Sequence, residues 1–552
     1  MLLVSLSRPV LVLVALALHA PLVLAQGGPP PPPPGGGFPQ VQAPAGNPIT
    51  ADKVLLGKAL FWEEQLSSSR TMACGTCHIP GAGGVDPRAA VGVTTHPGLD
   101  GVFGTADDVT GSPGVVQSNA DGLYEAEAAF GLDVQVTGRK APTMINAAFA
   151  DELFWDGRAS GTFTDPVTGA VVLAQGAALE SQAAGPPLSS VEMGHLGEDW
   201  PEVATRIATS APLALASNLP ADLAAFVAGR DYPQLFQDAF GSAEVTPARI
   251  SMAIATYERT LISDEAPDDD FLAGQPGALT PLEQQGRNVF TGPGRCVICH
   301  GGPLFTDDQF HNIGLRPPVE DLGRFDVTGS PGDRGRFKTP GLRNIELSAP
   351  YFHNGSAATL EEVIDFYDRG GDFPQNQDAA IIPLGLSQQQ KTALAAFLRR
   401  PLTDPRVRDE TAPFDRPTLY GETQLAPVTY GVGTPTPNGH LPRMVALEPP
   451  LVGNPELTLG VADGPALGQA LLALDFAPGA LTVDGVGVLV AGTAGLMLLP
   501  AGPMQGAPGE AYASLSLAVP GDAALAGLPV YAQWLVLGPS LSASEGAELT
   551  LF

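Results

Sequence analysis

Three textures of apolar and polar positions succeed one another along the 552 residues. Behind Arg8 an apolar run extends to Val23-Leu24-Ala25, with a positive start and small residues at its exit. That order predicts a signal peptide, residues 1–25, cleaved near Ala25. A membrane-spanning helix is the competing reading, but no stop-transfer flank follows, and Pro9 and Pro21 interrupt the run. Residues 26–46 form a Pro/Gly-rich linker around six consecutive prolines, Pro29 to Pro34, which have no capacity to pack a core. Helical periodicity then takes over. It predicts a helix over residues 51–61, where Leu56, Leu60 and Phe61 fall near one face, and another opened by Thr246-Pro247 and running through Ile250, Ile254 and Tyr257. Thr280-Pro-Leu-Glu283 and Thr359-Leu-Glu-Glu362 are capping boxes. The helix behind the second stops at Gly370-Gly371, and a last one, Ser387 to Arg400, is stopped by Pro401. From about Pro417 the pattern shortens to stretches such as Leu481-Thr-Val-Asp484, Val488-Leu-Val490 and Tyr531-Ala-Gln-Trp-Leu-Val-Leu537. Gly, Pro and Asn separate them, which predicts short strands and a β-sandwich. The expected fold is mainly α: helical units over 47–275 and 276–415, then the β-sandwich over 416–552.

Composition adds detail to this plan. With 66 Gly and 55 Pro, the chain should carry many loops and insertions within its domains. A formal charge of −30 excludes nucleic acid and anionic lipid as partners, since both would repel it. No segment past the leader is long and apolar enough to span a bilayer, so the mature chain is expected in the periplasm or outside the cell.

The four cysteines carry the chemistry. They fall in Cys74-Gly-Thr-Cys77-His78 and Cys296-Val-Ile-Cys299-His300, and none is left over. Pairs at i and i+3, each followed by His, are not spaced as structural disulfides and read as two haem c attachment motifs. The thiols would form thioethers to the porphyrin, and His78 and His300 would supply the proximal nitrogens to iron. A redox pair or a zinc knuckle would leave both histidines unexplained and would have to occur twice. Between His78 and Gly138 lies a Gly/Asp-rich stretch with Asp100, Asp107 and Asp108. Such carboxylates can ligate calcium, but the spacing is not that of an EF-hand loop, and a solvated loop is the plainer reading.

Around the motifs the chain resembles the bacterial di-haem cytochrome c peroxidases and their MauG-type relatives. The matching stretches are Leu56-Gly-Lys-Ala-Leu-Phe61, Ala141-Pro-Thr-Met-Ile-Asn146, Phe154-Trp-Asp-Gly-Arg158, Val191-Glu-Met-Gly194, Phe310-His-Asn-Ile-Gly314, Lys338-Thr-Pro-Gly-Leu-Arg-Asn344 and Pro350-Tyr-Phe-His-Asn-Gly355. They run from about Asn47 to Pro401, and the tail lies outside them. The resemblance implies two class I cytochrome c-like domains with haems facing an interface, the His78 haem peroxidatic and the His300 haem delivering electrons. It also implies a distal pocket of Gln182, Pro186 and Glu192. Glu192 would move a proton between the peroxide oxygens, Gln182 would orient the peroxide, and Pro186 would leave the sixth iron position open. An insertion, Gly161 to about Ala178, precedes Gln182 and must loop out for this correspondence to hold. Trp155 falls where the family places an aromatic between the haems; packing in a core is the other reading.

The distal ligand of the second haem departs from the well-known peroxidases, which use Met. No Met stands between Met252 and Met444. Tyr367 occupies the matching position, as in MauG-type enzymes, and a phenolate there would lower the potential. A core aromatic is the bland alternative. His311 and His353 are the other candidate ligands, although the family makes His353 part of the electron path. His96 either closes the first haem in a resting state or is a solvated loop histidine. The family's inter-haem calcium uses an Asn where this chain has Lys140, with carbonyls corresponding to Ser348 and Pro350, and an ammonium there would repel the ion. The activity implied is reduction of hydrogen peroxide with electrons from a small cytochrome c or cupredoxin, whose basic patch would suit the acidic surface. Two alternatives stay open: a MauG-type oxidase that modifies protein side chains through high-valent iron, which Tyr367 favours, and a non-catalytic di-haem electron carrier.

Overall fold

A computed structural model describes residues 38–483, 485–492 and 495–552, so the predicted signal peptide and the proline run lie outside the described residues. Helices begin where side chains satisfy their free amides. Helix α1 (Ala51–Phe61) starts at Thr50, whose side chain accepts from the Lys53 amide. Helix α2 (Pro247–Glu258) starts behind Thr246 in the same way. Capping boxes open α3 (Pro281–Thr291), α4 (Leu360–Arg369) and α5 (Gln388–Leu398), at Thr280, Thr359 and Ser387. Gly370 ends α4 in the left-handed region at φ 83°. Helix α5 ends at Leu398, short of the expected Arg400, because Arg399 leaves helical geometry just ahead of Pro401. Among the described residues no helix is long and apolar enough to cross a membrane.

The helices build two separate cores. Leu56, Leu60, Phe61, Ile250, Ile254 and Tyr257 anchor the first, against which Cys74 and Cys77 pack. Phe290, Phe305, Leu360, Ile364 and Phe397 anchor the second, against which Cys296 packs. The two are built alike. Helix α1 crosses α2 at Gly57, where a Cβ would lie 2.0 Å from the Ala253 carbonyl oxygen. Helix α3 crosses α5 at Gly286, where a Cβ would lie 1.9 Å from the Ala393 carbonyl oxygen. Each glycine heads an equivalent stretch, Gly57-Lys-Ala-Leu-Phe61 or Gly286-Arg-Asn-Val-Phe290, that leads into one cysteine motif.

The C-terminal region is β-rich. Strands β1 (Val428–Tyr430), β2 (Arg443–Val445), β3 (Leu457–Gly464) and β4 (Gln469–Asp475) are followed by the hairpin β5 (Pro478–Val483) and β6 (Val486–Val490). Then come β7 (Met497–Pro503), β8 (Ala511–Leu517), β9 (Pro529–Leu537) and β10 (Leu541–Thr550). One sheet has the order β7-β4-β9-β10-β1 and another β8-β3-β2, with antiparallel pairing throughout. Side chains of both sheets share a core, including Leu459 and Val461 of β3, Leu472 of β4 and Trp534 and Val536 of β9. Buried Gln533 fastens the hairpin to this core, accepting from the Leu489 amide at 2.8 Å and donating to the Gly487 carbonyl at 3.1 Å.

Candidate di-haem site

Both cysteine motifs open onto one cavity of about 630 Å³. A water occupies only ~30 Å³ in the liquid, so this is room for cofactors and not a packing defect. In the first motif Cys74–Cys77 make one helical turn. Gly75 is required there, since a Cβ would lie 2.2 Å from the Trp62 ring. His78 and His300 share one arrangement. His78 Nδ1 donates to the Gly84 carbonyl at 3.1 Å, and His300 Nδ1 donates to the Phe305 carbonyl at 3.0 Å. A carbonyl only accepts, so each Nδ1 carries its hydrogen and each Nε2 keeps a lone pair. Burial lowers both imidazole pKa values and favours that neutral form. No disulfide joins any of the four cysteines. A Cys-x-x-Cys pair followed by a neutral imidazole, present twice around a large cavity, suits a pair of iron porphyrins.

The residues expected at the distal pocket converge on this cavity. Gln182, Pro186, Glu192 and Trp155 all line it. The inserted stretch forms a small hairpin, Phe163–Thr164 paired with Val171–Leu173, before the chain re-enters helix at Ala178. Burial raises the pKa of Glu192, with Arg158 opposing. Trp155 is fixed by its indole N–H, which donates to the Lys140 carbonyl at 2.7 Å. Its ring lies 6.2 Å from His353, which stacks on Phe337 at 3.6 Å. Lys140 is buried, its amide donates to the His353 carbonyl at 2.8 Å, and its Nζ donates to the Ser348 carbonyl. Burial lowers the Lys140 pKa to about 7.

Tyr367, on α4, lines the cavity with His300. His311 is differently placed: its Nδ1 lies 2.7 Å from Asp378 and its Nε2 3.0 Å from Asp307. Hydrogen bonding to Asp307 is the largest cause holding its pKa up at about 11. Both ring nitrogens of His311 are thus engaged by carboxylates. His353 lies beside Trp155 in an aromatic stack. The cavity wall does not include His96, whose Nδ1 accepts from the Gly98 amide at 3.1 Å. In the Gly/Asp loop, Asp107 accepts from the Leu99 and Asp100 amides and from Thr105, so its oxygens serve the loop itself.

Two charged residues of the site escaped the sequence reading. Glu258 closes α2, lines the cavity, is raised to about 8 by burial and has an unpartnered Oε2. Arg88, pinned by buried Asp86, places its guanidinium 3.3 Å from Cys77 Sγ. Glu258 reads as the end of an apolar helix, and Arg88 stands in a loop without periodicity, so neither carries a local signal.

A family model described as di-haem cytochrome c peroxidase matches residues 51–277. The cytochrome-c peroxidase IdrP1 of Denitromonas iodatirespirans is 30% identical over 423 residues, 70% of this chain and 90% of that protein. The chain belongs to the di-haem cytochrome c peroxidase family. It is therefore an oxidoreductase, and haem is the cofactor its family implies. Among other members, the methylamine utilization protein MauG of Methylorubrum extorquens is 31% identical over 368 residues, 66% of this chain and 82% of its own. A solved MauG-like protein associated with microbial copper homeostasis superposes with a TM-score of 0.51 at 28% identity, covering 68% of this chain and 96% of that one.

Proposed function

We propose that this di-haem peroxidase reduces hydrogen peroxide to two waters, taking two electrons from a small cytochrome c or cupredoxin and two protons from its pocket. The observation that carries the reading is one cavity whose wall includes His78, Gln182, Pro186 and Glu192 together with His300, Tyr367 and Trp155. Cys74, Cys77 and His78 would hold one haem covalently, and Cys296, Cys299 and His300 the other. When bound, the haems supply the redox chemistry. Glu192 holds and returns a proton at its carboxyl, aided by the burial that keeps it protonated to higher pH than a surface glutamate. Gln182 orients peroxide, and Pro186 offers no donor atom that could block the pocket. Trp155, held at its indole nitrogen by the Lys140 carbonyl, gives electrons a short path between the two haem sites.

The same proposal covers the architecture. Residues 47–275 and 276–415 are class I cytochrome c-like domains, and 416–552 is a β-sandwich whose two sheets share one core. Lys140 takes the place of an inter-haem calcium, since its Nζ already uses the Ser348 carbonyl. The leader directs the chain to the periplasm or outside the cell.

Tyr367 supports a second reading, a MauG-type oxidase of protein side chains. The discriminating experiment begins with haem content by pyridine haemochrome and the ferric electron-paramagnetic-resonance spectrum. Two haems with one high-spin signal are expected, and two low-spin signals alone would leave only an electron carrier. Peroxide turnover with reduced small cytochrome follows, in wild type and Tyr367→Met. The peroxidase consumes two donor electrons per peroxide in both proteins. An oxidase would consume none and would leave the protein oxidised by two electrons for a long time, a state that Tyr367→Met abolishes.

A further inference from the structure

The loop that carries Glu192 is stitched to a neighbouring segment, residues 114–118. The Val115 amide donates to the Val191 carbonyl at 3.0 Å, and the Leu196 amide donates to the Ser118 carbonyl at 2.8 Å. Just ahead of these bonds, buried Gln135 donates from its side-chain amide to the Ser190 carbonyl at 2.7 Å, and its backbone pairs with Gly114 and Val115. Gly114 lies so close that a Cβ would sit 1.8 Å from the Val191 carbonyl oxygen and 3.1 Å from Cα of Glu192. The chain just beyond this segment is held by the C-terminal sheet β8-β3-β2. Val116, Tyr124 and Leu132 form a small core with Val445 of β2 and Ala462 of β3. The Tyr124 ring rests on Gly460, where a Cβ would come within 2.8 Å of it. The Tyr124 hydroxyl is shared between Glu448 at 3.1 Å and the Thr458 carbonyl at 3.3 Å, and its amide donates to Ser514 Oγ at 3.0 Å. Thr458 returns a hydroxyl bond to the Gly122 carbonyl at 2.9 Å.

We propose that the C-terminal β-rich region is a brace that, through Tyr124 and Gln135, fixes the position of Glu192 in the peroxide pocket. The inference rests on Glu192 being the proton-transfer group. Gln135 is then a positioning residue: it touches no reacting atom and acts through the Ser190 carbonyl. A misplacement of about 1 Å can cost roughly 100-fold in rate, so three bonds on so short a loop matter to catalysis and not only to folding.

The test is a double-mutant cycle on the haem-loaded full chain: Gln135→Met, Glu192→Gln and the pair, with peroxide reduction per haem followed across roughly pH 5–9. Glu192→Gln should lower kcat about 10²- to 10⁴-fold. Gln135→Met should lower kcat about 10- to 100-fold, shift the pH profile, leave KM for the electron donor unchanged, and cost nothing further once Glu192 is Gln. Tyr124→Phe keeps the ring and loses only the hydroxyl bonds, and should act in the same direction with a smaller loss. If Gln135→Met costs the same factor in both backgrounds, or lowers only the melting temperature, the brace is overturned while the role of Glu192 stands. Full activity in Glu192→Gln overturns the proton-transfer reading and the brace with it. Should Gln135→Met fail to load haem, Tyr124→Phe decides alone, and an unchanged kcat and pH profile then rejects the brace.

Discussion

Lys140 joins the two haem units through one residue: its carbonyl holds Trp155, its amide holds the His353 carbonyl, and its Nζ reaches Ser348. A tethered nitrogen on the Ser348 carbonyl competes with any divalent ion for that oxygen. Wild type should therefore keep its peroxide turnover and melting temperature after treatment with EDTA. Lys140→Asn strands a buried carbonyl at a cost of roughly 1–3 kcal/mol and should recover stability when calcium is added, as read by melting curves and a calorimetric titration. Chelator-sensitive wild type would contradict this. Lys140 could be singled out because a charged residue stands where the resemblance expects a neutral one. His311 could not be judged the same way, because its two carboxylate partners, Asp307 and Asp378, meet around it only in the folded chain.

Between helices, the decisive contact is the glycine crossing. Alanine favours a helix over glycine by about 1 kcal/mol, so Gly286→Ala would stabilise an isolated α3. In the folded unit the new Cβ meets the Ala393 carbonyl oxygen, a backbone atom that cannot swing aside, and overpacking of this kind costs roughly 1–3 kcal/mol. The expected outcome is a lower melting temperature and poorer haem loading; a rise in melting temperature would mean that the helices slide apart freely. Helix starts were legible because caps are local: Thr246, Thr280 and Thr359 each act within three residues of themselves. The cysteine motifs were legible because each is five consecutive residues. The glycine crossings were written in the sequence as a repeated Gly-basic-x-aliphatic-Phe stretch, but their purpose is tertiary. Gln182, Pro186 and Glu192 come together from a short helix, a turn and a loop, so only resemblance could group them. The hairpin at 163–173 carries too few residues to show a period.

Across the whole molecule, the seams between the first haem unit and the C-terminal region contain buried acids. Glu448 accepts from the Thr458 amide at 2.7 Å and from Tyr124, while Glu64 accepts from the Tyr420 amide at 2.9 Å. Burial raises both carboxyls to about 8. An unfolded glutamate titrates near ~4.3, so between that pH and about 8 the folded chain binds protons that the unfolded chain has released. Stability contributed at these seams is therefore fully present in mild acid, falls as pH rises through this window, and levels off above it. The formal charge of −30 works in the same direction, because deprotonation adds to self-repulsion. Glu448→Gln separates the two effects: it keeps the shape and an acceptor oxygen, removes one proton from the linkage and changes the net charge little. The melting midpoint of the haem-loaded protein should drop between pH 5 and 8 in wild type and drop less in Glu448→Gln. Equal slopes in the two proteins would assign the whole dependence to surface charge and leave the seam without a titrating part.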